Sequence, residues 1–478
     1  MKTVVLYPGL AVSHFTPMME LAGVFLDHGY AVAVALINPS IKQDDAAFTA
    51  AVGRAISTKT SNFSFHILPQ ITNPPSLAFD DGDFFANYFD VTRRNNDHLH
   101  DFLLSIQPSR LHAVVVDTSC GFAIEAVRKL GSAAVPVYQF YPSDAGALAV
   151  RLQIPSIRGR RVGEGSDPVV FLGVPPLPAC HVTDLHGRSV IEVDDELEGM
   201  MVAGARIMAE FDGIVINTCV SMEGRSLRAL ADPRCCPDGV VFPPVYAVGP
   251  LVNGEGTVAV DQTSSSVRHE CLVWLDGQPD CSVVFLCFGS IAGVDGRVGG
   301  THVERQVREI AGGLEKSGHR FMWVVRDAVL PEGFLERTID RGLVVNGWVP
   351  QSSVLRHHAT GAFVTHCGWN SALEGVTAGV PMLCWPMYAE QRINKVIVAE
   401  EMGVGVEMEG WLDGLVTAEE VESKVRLVME SEHGRKLRER VEAHQEAAAM
   451  AWKDDGSSHA AFAKLLSDID KAHGKSSS

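Results

Sequence analysis

Short runs of valine, isoleucine and leucine alternate along this chain with longer stretches of helical periodicity. TVVLYPG is followed by PMMELAGVFLDHG and AVAVALI, and later LHAVVVD by AIEAVRKLG and AVPVYQF. A strand that is apolar at every position must be covered on both faces, and a helix returning between two such strands makes them parallel neighbours. The pattern therefore limits the chain to α/β units. It restarts at SVVFLCFGS and runs on through RFMWVVR, GLVVNGW, GAFVTHCG and VPMLCWP, so the expectation is two doubly wound units. Length agrees, because 478 residues exceed what one core fills and suit two domains of roughly 200 to 250 residues.

The stretch VYAVGPLVNGEGTVAVDQTSSSV is rich in glycine and serine and lacks helical periodicity, which marks a linker. The expected division is a first domain over 1–249, a linker over 250–266 and a second domain over 267–455. A helix and frayed tail over 456–478 are expected to pack back on the first domain. Residues 151–183, with many Pro, Gly and Arg, read as a surface excursion of the first domain, since strand and helix patterns resume after them.

Composition excludes several classes. With 46% hydrophobic and 21% charged residues the chain is neither disordered nor fibrous. A net charge of −18 argues against nucleic acid or an anionic membrane as a partner, so any anionic ligand must be held by a local field. The ten cysteines show no zinc or redox spacing and read as buried small hydrophobes in a reducing compartment, with a disulfide left open. MKTVVLYPG is too short for a signal-peptide core, no apolar run approaches the ~20 residues of a membrane span, and HGKSSS carries no lipidation signal. The reading is a cytoplasmic protein with no metal site.

Ligands of open α/β sheets sit at the carboxyl ends of the strands. After GAFVT come His366, Cys367, Gly368, Trp369, Asn370 and Ser371, leading into the helical ALEGVTAG. Gly368 allows close backbone approach, Asn370 or Ser371 can cap, and the helix start offers N–H groups to an anion without needing a lysine. Gly289-Ser290 forms a second turn that could donate to the same phosphates; either turn alone also fits a satisfied helix cap. Trp348 can offer an indole face to a base and Gln351 an amide to its edge, although a strand-end Trp often packs in a core. Glu374, one turn into the helix, is placed to accept from ribose hydroxyls or to sit unpaired on the surface.

Trp348 to Gln391 resembles the signature box of plant secondary-metabolite UDP-glycosyltransferases, and SVVFLCFGS, the N-terminal SHFTP and DDGSS resemble other marks of that family. The resemblance implies a GT-B fold of two Rossmann-like domains facing each other across a cleft, with the acceptor on the first domain and the UDP-sugar on the second. By matching position, Trp348 would stack on uracil with Val349 and Gln351 beside it, and Glu374 would hold the ribose. His366, Gly368, Asn370, Ser371 and Ser290 would meet the diphosphate. Trp369, Glu390 and Gln391 would address the sugar, and glutamine at 391 is the type similar enzymes mostly use with UDP-glucose. The co-substrate would be UDP-glucose, with no further cofactor.

His14 follows the first strand and Asp117 ends AVVVD; by themselves they read equally as a solvated histidine and a turn former. The resemblance implies that His14 takes the acceptor proton and Asp117 holds its ring, in a metal-independent displacement that inverts an α-linked donor to a β-glycoside. Acceptor contacts would come from Ser13, Ser119, Phe140, Ser143 and Tyr388. Phe84, Phe85, Tyr88 and Phe89 could stack on a planar substrate or form helix core. Two departures stand out: Ser13 where many relatives have Gly, and Pro142 where relatives often carry a sugar-contacting Thr, leaving Ser143 to substitute.

The expected acceptor is a small phenol, of flavonoid or isoflavonoid type, and the expected state a monomer. A plant hormone, a xenobiotic phenol and C-glucosylation are the alternatives within the family. A nicotinamide dehydrogenase would need a G-x-G-x-x-G that YPGLAVSHF does not supply. A nucleotide-sugar sensor would have no use for the His14 and Asp117 pair.

Overall fold

The computed structural model describes residues 1–42, 46–58, 60–77, 84–131, 135–157, 168–182, 195–252, 268–289, 303–326 and 328–475. Two α/β units emerge, each built on a parallel sheet. Met1–Ile157, Asp194–Gln262 and Ala451–Ser478 form the first, and Arg158–Val193 with Thr263–Met450 the second.

The first sheet contains β1 (Thr3–Tyr7), β2 (Ala31–Leu36), β3 (Phe63–Ile67), β4 (Leu111–Asp117), β5 (Val137–Tyr141), β6 (Gly213–Ile216) and β7 (Val245–Ala247). Their order is β3-β2-β1-β4-β5-β6-β7. Every residue of β1, β4 and β5 is buried, the result their continuous apolar runs demand. The chain steps outward from β1 through β2 to β3, then returns to lay β4 against the other side of β1. That reversal opens a crevice at the carboxyl ends of β1 and β4, where α/β proteins bind ligands.

The second sheet repeats the scheme with β8 (Val283–Cys287), β9 (Arg320–Val325), β10 (Gly342–Asn346), β11 (Thr360–Thr365), β12 (Met382–Cys384) and β13 (Gly405–Glu407), ordered β10-β9-β8-β11-β12-β13. Its reversal lies between β8 and β11, where Cys287 is level with Thr365. Trp323, Phe321 and Phe334 anchor this unit's core. Each such side chain is worth about 1.5–3 kcal/mol when removed from water.

The helix Ser457–Lys475 belongs to the first unit although the whole second unit precedes it in the chain. Phe462, Leu465 and Ile469 are fully buried in that unit's core, with the Phe462 ring 5.0 Å from Phe25. Tyr246 donates to Asp468 at 2.9 Å, Lys2 pairs with Asp470 at 2.6 Å, and the Ser458 hydroxyl donates to the Gly249 carbonyl.

One expectation needs correction. The sequence assigns 151–183 to the first unit; of its described residues, 151–157 stay with that unit and 168–182 group with the second. Arg392 donates to the Cys180 carbonyl at 2.7 Å and stacks its guanidinium 5.2 Å from the Trp411 ring, which also lies 5.6 Å from His181. These partners are more than two hundred residues downstream, beyond the reach of local patterning. Most of the expected linker lies outside the described residues. Among the described residues no helix is long and apolar enough to cross a membrane, and none form a metal-holding cluster of His, Cys, Asp or Glu.

Candidate functional site

In the first unit, His14 stands in the opening turn of the helix Val12–Asp27, which begins just after β1. Its Nδ1 lies 2.9 and 3.0 Å from the two carboxylate oxygens of Asp117, the last residue of β4. Asp117 is 0% exposed and the His14 side chain 28%. A buried carboxylate beside Nδ1 keeps the ring proton on that nitrogen, so Nε2 carries the lone pair that can accept another.

More groups converge on the same carboxylate. The Ser119 N–H donates to Asp117 Oδ1 at 2.8 Å, and the Ser119 hydroxyl donates to the same oxygen. Because that proton is committed, the Tyr88 phenol, 2.9 Å from Ser119 Oγ, must be the donor there. Tyr88 accepts in turn from the Leu10 N–H at 2.7 Å. Gly9 borders this chain so closely that a Cβ on it would fall 2.3 Å from Ser119 Oγ, 2.8 Å from Asp117 Oδ1 and 2.9 Å from Tyr88 Oη.

In the second unit, Trp348 follows β10 and is 54% exposed, with its ring edge-on to His269 at 6.1 Å. A tryptophan left this open is a ready stacking surface. Val349 beside it is buried. Gln351 Nε2 donates to Glu374 Oε2 at 2.6 Å and to Ser371 Oγ at 3.0 Å, while Ser352 donates to Glu374 Oε1 at 2.7 Å. Burial raises the Glu374 carboxyl above its ordinary value, opposed by these two donors. Each carboxylate oxygen still has a lone pair for a hydroxyl.

Gly368 precedes the helix Trp369–Ala378 and makes no side-chain cap bond, and the first turn of such a helix is where an anion is favoured. Beside it His366 is 7% exposed, and its Nδ1 has no partner among the described residues. Burial pushes its imidazole down to about 4, so it meets a ligand as a neutral donor rather than as a cation. The ring is wedged between Gly289 and Gly368, where added Cβ atoms would come within 2.7 and 2.4 Å of it. Cys367 between them takes a left-handed φ of 64°, held by Asn394 Nδ2 donating to its carbonyl at 2.9 Å. A non-glycine residue in that region is a strained conformation of the kind found at ligand sites.

Trp369 is buried, and Asn370 and Glu390 are half-buried, Glu390 at the start of the helix Gln391–Val396. Gln391 is 3% exposed, and its amide oxygen accepts from the Met387 and Tyr388 N–H groups at 2.9 and 3.0 Å. Its carbonyl end therefore shapes the loop before it. Tyr388 is half-buried, and burial raises its phenol above the ordinary value. Ser290 lies outside the described residues.

One acceptor contact needs revision. Phe140 is fully buried in the first unit's core and presents no surface to a ligand. Ser119 gives its hydroxyl proton to Asp117. Ser13 is exposed, and Ser143 donates to Asp144 at 3.1 Å, next to a helix start that Asp144 and Glu223 already cap. Phe84 and Tyr88 belong to the helix core, whereas Phe89 is exposed and meets Phe122 edge-on at 5.9 Å. The Phe85 side chain lies outside the described residues.

Sequence reasoning missed Ser352, Asn394, Gly9 and the phenol of Tyr88. It also missed Arg326, which ends RFMWVVR and donates to the Gly289 carbonyl at 3.0 Å. A charged residue closing an apolar strand was the available signal for Arg326; the others carry none in local sequence.

The family model "UDP-glucoronosyl and UDP-glucosyl transferase" matches residues 263–438. A phloretin 2'-O-glucosyltransferase of Pyrus communis is 37% identical, over 98% of this chain and 99% of its own. An anthocyanidin 5,3-O-glucosyltransferase of a Rosa hybrid cultivar is 35% identical, over 97% and 98%. Among solved structures, a Medicago truncatula protein complexed with UDP-glucose superposes with a TM-score of 0.76 at 29% identity, covering 98% of each chain.

Proposed function

This chain belongs to the UDP-glycosyltransferase family, with its GT-B class of fold, and from that premise we propose that it moves glucose from UDP-glucose to a hydroxyl of a small phenol of flavonoid type. The observation that carries the reading is the His14 to Asp117 pair at the reversal point of the first sheet. The relatives acting on phloretin and anthocyanidin support the acceptor class. The structure solved with UDP-glucose supports the donor.

In the proposed reaction the acceptor proton passes to His14 Nε2 as the oxygen attacks C1 of the sugar. The bond from C1 to the UDP oxygen breaks, and an α-linked donor becomes a β-glucoside. Asp117 fixes the tautomer and stabilises the imidazolium that forms, and a positioned base of this kind contributes about 10²–10⁴ in rate. The leaving diphosphate is stabilised by the helix start at Gly368 and by neutral His366, with Trp348 under the base and Glu374 on the ribose. No step calls for a metal or a further cofactor. We read the enzyme as a cytoplasmic monomer of two domains, binding acceptor on the first and donor on the second.

The test is mass-spectrometric: purified protein with UDP-glucose and a panel of flavonoids, plant hormones and simple phenols, run beside His14→Ala. One hexose gained by flavonoids, and absent with the variant, is the expected outcome. Transfer to hormones or simple phenols alone would overturn the acceptor class. Undiminished transfer by His14→Ala would overturn the base.

A further inference from the structure

Asp117 has to hold one histidine in one orientation, and as a fully buried carboxylate it needs donors of its own. Two come from Ser119, through its N–H and its hydroxyl. The hydroxyl proton points to Asp117 only because Tyr88 fills the other side of Ser119 Oγ as a donor, and Tyr88 is oriented by the Leu10 N–H. The result is a one-way series of hydrogen bonds from Leu10 through Tyr88 and Ser119 to Asp117, which then accepts from His14. Gly9 lines the series at a spacing that admits no Cβ.

On the reading of His14 as the base, we infer that Tyr88 and Ser119 are positioning residues, acting through Asp117 to set the orientation and basicity of His14. Neither was expected in this role: Ser119 stood as an acceptor contact and Tyr88 as an aromatic platform. The physical reason is charge sharing. A hydroxyl donating to Asp117 takes up part of its negative charge, leaving less to stabilise the imidazolium, and a phenol donating to that hydroxyl makes it a better donor.

Among the described residues the titratable groups around the carboxylate are few. Tyr88 and Cys120 face it, with Tyr7 behind them, and burial pushes both phenols and the thiol well up. They remain neutral through the working range.

The experiment measures kcat/KM for the acceptor across pH for wild type, Ser119→Ala, Ser119→Thr, Tyr88→Phe and His14→Ala, with thermal melting followed by circular dichroism as a check on folding. Losing the serine hydroxyl leaves more charge on Asp117, so the acid limb moves to higher pH in Ser119→Ala, by about half a unit, with about a tenfold fall in the plateau. Tyr88→Phe moves the limb the same way by less, and Ser119→Thr, which keeps the hydroxyl, restores the wild-type limb. A merely structural role would lower the plateau without moving the limb, and that result overturns the inference. So does a limb that stays displaced in Ser119→Thr. If His14→Ala itself keeps full activity, the base reading has failed; if only His14→Ala is affected, the positioning inference alone has.

Discussion

Replacing Gly9 by alanine adds one methyl group at the most crowded point of the first unit's site. The backbone there is not left-handed, so the substitution carries no conformational strain and acts through space alone. The new carbon would sit 2.3 Å from Ser119 Oγ, 2.8 Å from Asp117 Oδ1 and 2.9 Å from Tyr88 Oη. Ordinary contact begins near 3.4 Å, so Ser119 must retreat by about 1 Å, and the two neighbours bonded to it close the easy directions of escape. A misplacement of about 1 Å in a catalytic constellation costs on the order of 10²-fold in rate, equivalent to about 2.7 kcal/mol. Initial rates against acceptor concentration give kcat/KM, and calorimetric titration with UDP gives the state of the second unit. We expect a loss of about 10²-fold in kcat/KM with UDP affinity unchanged. A Gly9→Ala protein that is folded and retains wild-type kcat/KM would refute the argument that this carboxylate must be held where it is.

Two further outcomes follow from the second unit. His366 is held down to about 4 by burial against an ordinary 6.5, so below pH 6.5 the unfolded chain takes up a proton that the folded one refuses. Its contribution is present above that pH and declines by about 2 kcal/mol between pH 7 and pH 5; denaturant titrations at the two values should show a shallower loss in His366→Gln. Trp348→Ala removes a side chain already 54% exposed, so stability should move by less than about 0.5 kcal/mol. UDP binding should weaken by about 1–3 kcal/mol, the worth of stacking one base; unchanged affinity would show that the indole is not the platform.

The architecture was legible because a parallel sheet writes itself as consecutive apolar runs, and β1, β4, β8 and β11 are such runs. Asp117 and the His366 to Ser371 cluster could be singled out because they close such runs with polar residues, whereas His14, seven residues past the end of β1, was picked out by the resemblance. The same property hid what came out wrong. In VYQFY every residue is buried, so no alternation tells which side chain faces a site, and Phe140 was placed in the pocket when it lies in the core. Tyr88 could not be told from its aromatic neighbours by spacing, since its role depends on Ser119, thirty-one positions away. Gln391 reads as a sugar-facing amide, and no local pattern shows that its oxygen accepts from the backbone three and four residues before it.

The return of the helix Ser457–Lys475 to the first unit has a consequence for synthesis. Phe462, Leu465 and Ile469 fill that unit's core, yet they emerge from the ribosome only after every residue of the second unit has been made. Domains generally fold as they appear, the N-terminal one first. Here the first unit must wait with part of its apolar interior open while the second completes its own. The unit that begins first is therefore finished last, and the interval in which its core lies uncovered is when it most needs a chaperone.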